Sequence, residues 1–214
     1  MTIGDTAHFE IGPDDWFTSD PHFGHTNVIA YCGRPFCCKH SMNESLIQSW
    51  NHAVKPSERV FVLGDFFFGS PGFAKRIISR LNGHLILIKG NHDRGRTKMV
   101  EYGFKEAYTS ATAIFEYEGK QRNIFMRHIP DYDHHDNYDI HLCGHVHEKF
   151  TKVGNVINVG TDVWDYSPQK LKFILDNADK KQATNYAPAA LKDVVEAKVE
   201  RDDKLIKDMY ERDK

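Results

Sequence analysis

Residues 143–150 read CGHVHEKF, with His145 and His147 two positions apart directly after a glycine. In an extended segment such side chains point the same way, so both imidazoles can face one small volume. Four other stretches carry residues of similar capacity. TSDPHFGH has Asp20 and His22, LGDFFFG has Asp65, KGNHD has Asn91, His92 and Asp93, and RHIP has His128. Each alone is ordinary: an isolated DxH is mostly surface chemistry, and an isolated Gly-Asp is usually a turn. Together they form a mixed set of carboxylates, imidazoles and an amide, which suits manganese, iron or zinc better than calcium. Two such ions about 3.5–4 Å apart can clamp a phosphoryl group for in-line displacement. The cations outweigh the two carboxylates Asp20 and Asp65 and attract a phosphate. The carboxylates alone would repel it.

The elements that must position these residues follow from the apolar pattern. Residues 15–19, DWFTS, predict a short strand running into Asp20 and broken by Pro21 and Gly24. Residues 42–54 predict a helix from the spacing of Leu46, Ile47 and Trp50. Residues 59–65 predict a buried strand ending in a glycine turn. Residues 71–83 predict a helix with proline near its start and glycine at its end. Residues 84–93 predict an apolar strand and a glycine-led loop. These are two βα-like units, each delivering polar residues at a strand's carboxyl end, where ligands of α/β sheets often lie. The second half predicts short strands over 105–117, 122–127, 139–143, 153–159 and 171–175, with a hairpin at EYEGKQRN (116–123).

With 214 residues the chain is long enough for one domain with a substantial core. A net charge of −2 and a pI near 6.7 give no chain-wide basic field, so nucleic acid or an anionic membrane as partner is unsupported by charge. The start MTIGDTAHFE is polar and mixed, unlike a signal peptide. No apolar run reaches the roughly 18 residues of a membrane helix. Cys32, Cys37, Cys38 and Cys143 match neither a disulfide framework nor paired zinc motifs. Free thiols in the cytoplasm are the better reading, ahead of a metal site at Cys37, Cys38 and His40.

In order, D-x-H, G-D, G-N-H-D, H and G-H-x-H resemble the calcineurin-like metallophosphoesterase superfamily over positions 16–165. YCGRPF (31–36), LNGHLILIKGNHD and NVGTDVWDYSP (158–168) also resemble its short bacterial and phage members. The resemblance implies an α/β fold, a four-layer α/β/β/α sandwich with two mixed β-sheets. It implies hydrolysis of a phosphomonoester or phosphodiester by hydroxide at a dinuclear metal centre. Asp20, His22, Asp65 and His147 would hold one ion, and Asp65, Asn91, His128 and His145 the other. The cofactors implied are two divalent ions, manganese first, with iron, zinc or nickel as alternatives. His92 would act on the substrate phosphate and leaving group. Alternatives are a nuclease or nucleic-acid phosphatase of the same fold, and a non-catalytic scaffold, which should lack several of these ligands.

Other residues have weaker claims. His25 and Arg34 are candidates for substrate contact, Arg34 equally for a structural ion pair. Asp93 is expected to support a ligand. Phe66, Phe67 and Phe68 read as wall or core ahead of a base-stacking platform. His8, His40, His52, His84, His134, His135 and His141 read as surface or loop residues. The 131–138 segment, DYDHHDNY, is crowded with extra acids and histidines that could reshape substrate access. The expected domain spans 1–176. Residues 177–214 form a charged extension, with an apolar stripe from Leu191 to Tyr210 that predicts a helix packed on the body or on a partner in an oligomer.

Overall fold

A computed structural model describes residues 2–131 and 137–181 of the protein. The strands are β1 (Thr2–Glu10), β2 (Trp16–Thr18), β3 (Arg59–Val62), β4 (His84–Ile88), β5 (Glu106–Tyr117), β6 (Lys120–Arg127), β7 (Ile140–Cys143), β8 (Lys152–Val153), β9 (Val156–Asn158) and β10 (Gln169–Lys170). The helices are α1 (Asn27–Tyr31), α2 (Lys39–Ala53), α3 (Pro71–Ile78), α4 (Arg96–Tyr102) and α5 (Leu171–Asn177).

β2, β3 and β4 are parallel, as their apolar runs require: strands covered on both faces do not alternate. Their two faces feed different cores. Val60, Val62, Leu85 and Leu87 meet Met42, Leu46, Ile47 and Trp50 of α2 and Ala74, Ile77 and Ile78 of α3. Phe61, Leu63, Ile86 and Ile88 face the other way, onto Ile124, Met126, Leu142 and Ile157 of the later strands. α3 starts where Ser70 Oγ accepts from the Phe73 amide at 3.2 Å, with Pro71 opening the first turn.

β5 joins the two groups of strands. β1 pairs in parallel along residues 106–114 of β5 and so takes one of its edges. β4 pairs with 106–108 and β6 with 110–117, so these two share the other edge end to end. Hydrogen bonding is therefore continuous through one ten-stranded sheet. It divides at β5 into the halves β10-β2-β3-β4 and β6-β7-β9-β8, each mixed in direction. These halves are the two expected sheets, packed face to face through the second core. Among the described residues, loop 144–151 and the β8–β9 hairpin, not a helix, form the third core on the outside of the second half.

Two sequence expectations need correction, and a segment to which no element was assigned forms a strand. Residues 171–175 form the start of α5, because the buried positions Leu171 and Ile174 are three apart and Lys172 pairs with Asp176 at 2.7 Å, i to i+4. The polar N-terminus is a strand, because its polar side chains find cross-strand partners: Thr6 with Ser110 at 2.9 Å and His8 with Thr112 at 3.0 Å. His141 is buried on β7. His134, His135, most of segment 131–138 and the expected tail helix lie outside the described residues.

Candidate metal centre

The register of β5 brings two strand ends together. Ile88, the last residue of β4, lies opposite Tyr108, and Arg127, the last of β6, lies opposite Ser110. The loop after β4 and His128 after β6 therefore start from neighbouring points. A bridge between Ser19 and Gly160 closes the far side, tying the end of β2 to the turn after β9. Asp20, Asp65, Asn91, His128, His145 and His147 thus leave five strands at one end of the molecule.

The ligating atoms form two compact groups, Asp20 with His22 and His147, and Asp65 with His128 and His145. All six residues are buried. Asp65 Oδ2 lies 3.3 Å from His128 Nε2 and 3.7 Å from His22 Nε2, within reach of both groups. His22 Nε2 and His147 Nε2 each lie 3.8 Å from Asp20 Oδ1. Asn91 Oδ1 lies 3.0 Å from His128 Nε2 and belongs to the second group.

Two features suit this donor set to cations. Asp20 Oδ1 and both ring nitrogens of His22 are buried with no hydrogen-bond partner, an arrangement that costs free energy unless something positive sits among them. The ring orientations agree. His128 Nδ1 lies 2.5 Å from the Leu63 carbonyl, which can only accept, so the Nδ1 proton is fixed and Nε2 faces the group. His147 Nδ1 is held likewise by Asp162 Oδ2 at 2.8 Å. Burial disfavours a charge on His128, yet the Asp65 and Asp20 carboxylates outweigh it and push its pKa up to about 10. Without a cation the site draws in a proton.

The backbone is strained where the donors are. Asp20, His22, Asp65, His145 and His147 all have left-handed φ, between 49° and 70°. For non-glycine residues this costs of order 1–3 kcal/mol each and clusters at functional sites. Gly90 and Gly144 have ordinary φ but leave no room for a side chain. A Cβ on Gly90 would strike the Asp65 carboxylate and come 2.6 Å from its amide nitrogen. One on Gly144 would strike Ser19 Oγ and come 2.5 Å from Asp20 Oδ2. The glycines of GNHD and GHVH are there because the strand ends pack onto one another.

Residues 19–180 match the calcineurin-like phosphoesterase superfamily domain. The chain belongs to that superfamily. A relative in Methanocaldococcus jannaschii, an uncharacterized protein, is 32% identical over 177 residues, covering 77% of this chain and 91% of its own. The gene 66 protein of Mycobacterium phage L5 is 26% identical over 180 residues, covering 70% and 86%. A crystal structure of an Aquifex aeolicus protein of unknown function is similar with a TM-score of 0.59 at 25% identity, covering 76% of this chain and 97% of that one. Membership makes the chain a phosphoester hydrolase of a kind that depends on divalent metal ions.

Within this phosphoesterase the remaining candidates divide. Asp93 accepts hydrogen bonds of 2.9 Å from the amides of Asp65, Phe66 and Gly90, so it fixes the two loops that carry Asp65 and Asn91. His92 donates its amide to Asp65 Oδ1 at 2.9 Å, while its ring lies 5.1 Å from Phe68. His25 stacks on Phe68 at 4.1 Å, beside the group that contains His22. Arg34 makes the structural ion pair that is its other reading. Its enclosed guanidinium grips Asp162 in two hydrogen bonds of 2.7 and 2.9 Å and the carbonyls of Asp20 and Pro21 at 2.7 and 3.0 Å. It positions the D-x-H turn and, through Asp162, His147.

Sequence reasoning missed Asp162 and Asn158, although both lie in the NVGTDVWDYSP stretch. Asn158 donates to the carbonyls of His147 and Phe150 at 2.6 and 2.9 Å and pins the loop after GHVH. Cys32 also lies near His147 and Asp162. Burial, then the Asp162 charge, pushes its thiol above the ordinary range and keeps it a poor ligand. Cys37, Cys38 and His40 form no metal-ligating group among the described residues.

Proposed function

We propose that this chain hydrolyses phosphate esters at a centre of two divalent ions, manganese in the first instance. Asp20, His22, Asp65 and His147 would surround one ion, and Asp65, Asn91, His128 and His145 the other. The observation that carries this reading is the position of Asp65, whose Oδ2 is within 3.7 Å of His22 and 3.3 Å of His128. When bound, such ions supply charge to draw in a phosphate and make a water acidic enough to ionise near neutral pH. The protein's own residues do the rest. Asp93, Arg34 and Asp162 hold the donors in place, and His92 contacts the phosphate and protonates the leaving oxygen. A scaffold without catalysis would be expected to have lost donors, and none is missing here. The substrate is a small phosphate ester, and the setting the cytoplasm. No helix among the described residues is long and apolar enough to cross a membrane.

The test joins metal analysis to turnover. Protein saturated with manganese should hold two equivalents and hydrolyse members of a panel of phosphate mono- and diesters. Asp65→Ala should lose both ions, and His128→Ala chiefly one. A wild-type protein that binds a single ion under saturating metal would overturn the dinuclear reading.

A further inference from the structure

The phenylalanines of LGDFFFG part company in the structure. Phe66 and Phe67 are buried in the helical-side core, but Phe68 is only half-buried and turns toward the metal centre. Its ring lies 5.1 Å from His92 and 6.0 Å from His22. His25 lies almost parallel to it, with centroids 4.1 Å apart and planes 14° from coplanar. Tyr31, at the end of α1, stands edge-on to His25 at 6.4 Å. Tyr31 is 49% exposed, and among the described residues only it and Phe173 are large hydrophobic side chains left so open. The series His92, Phe68, His25, Tyr31 therefore runs from the proposed phosphate position outward to solvent as a continuous aromatic wall.

Such a wall has no role in holding ions, and its outer member leaves about half of its surface open to solvent. Aromatic faces of this kind bind flat rings by stacking, and they tolerate any base because every base has a π-face. A phosphate beside His92 would extend its alcohol portion along Phe68 and His25 toward Tyr31. The chain-wide net charge of −2 gives no basic field for a long polyanion, which favours a single small ester. We infer that Phe68, His25 and Tyr31 form the subsite for the alcohol half of the substrate, and that the substrate is a nucleoside-type phosphate ester. This inference rests on the proposed phosphoesterase centre.

Matched esters with and without a base test the subsite. For monoesters the pair is adenosine 5′-monophosphate and ribose 5-phosphate. For diesters it is their methyl esters. Stacking of one base is worth roughly a 5- to 150-fold preference. Manganese-loaded wild type should prefer the base-bearing member of at least one pair by that factor in kcat/KM. Tyr31→Ala and Phe68→Leu should each pull the ratio toward one, and Tyr31→Phe should retain it. Metal content of each variant is measured alongside, so a fall caused by lost ions is recognised. A wild-type ratio near one, or a ratio indifferent to Tyr31→Ala and Phe68→Leu, overturns the subsite. Should no ester be hydrolysed by fully loaded protein, the catalytic reading fails. Calorimetric binding of adenosine 5′-monophosphate against ribose 5-phosphate then decides the subsite: tighter binding of the nucleotide, weakened by Tyr31→Ala, upholds it, and equal binding rejects it.

Discussion

His92 sits next to Asn91 in sequence, yet its ring nitrogen lies 3.8 Å from Asp65 Oδ2 and its face meets Phe68. That position suits a proton donor to a leaving oxygen, a contribution typically worth about 10²–10⁴-fold. His92→Ala should keep its ions, lose activity in that range on alkyl or ribose esters, and lose less on p-nitrophenyl esters, whose alcohol departs unprotonated. Equal losses on both would leave only electrostatic stabilisation. Asp162 carries a second prediction. Burial opposes its charge, but Arg34 and then His147 outweigh burial and hold its pKa at about 2, below the 3.8 of a free aspartate. A depressed carboxylate stabilises the fold fully above the unfolded value and loses that contribution as pH falls toward the folded one. The pair's contribution, about 2 kcal/mol by that shift, should be present above pH 4 and fade toward pH 2. Urea midpoints of wild type and Asp162→Asn across that range should converge as the pH drops. Neither Arg34 nor Asp162 could be matched from sequence, because 128 positions separate them and both residue types are common at surfaces.

Among the elements, the loops with glycine beside the donors have the least room for change. Gly144 has an ordinary φ, so alanine there meets no backbone penalty, only the clash with Ser19 and Asp20. Gly144→Ala should fold, with the strand ends forced apart by a few tenths of an ångström or more. Its manganese affinity should fall at least tenfold in calorimetry, and unchanged affinity would show that the close approach is dispensable. The parallel strands and α2 and α3 were legible because their apolar residues are continuous or helically spaced. β1 and α5 were not. In β1, Ala7 and Phe9 turn to the second core, alternating with Thr6 and His8, which pair across to β5, a pattern too short to stand out; LKFIL satisfies a strand pattern as well as a helical one. Nor could a strand's own residues reveal that β4 and β6 meet end to end on one edge of β5. Pairing is a property of two segments, and only the motif order hinted that their ends converge.

At the scale of the molecule, the site lies wholly within the region matched to the superfamily, 19–180: its donors end at His147, and Asp162, which holds His147, follows in the turn after β9. Ending the chain after Lys181 should therefore leave kcat/KM per metal-loaded protein within a few-fold, whatever it does to solubility or self-association. A truncated protein that folds and binds its ions but fails to turn over would place a needed residue beyond 181. The division of the sheet has another consequence. Asp20, His22 and Asp65 come from the half that carries α2 and α3, while His128, His145 and His147 come from the other. Each donor group spans the seam, where strand pairing joins the halves through β5 on one side and the Ser19–Gly160 bridge on the other. An ion seated in either group is thus a reversible crosslink between two packed layers. At a free concentration one hundred times its dissociation constant, a single such ion adds about 2.7 kcal/mol to the folded state. The metal supply that governs turnover would govern, by the same binding equilibrium, how firmly the two layers stay closed.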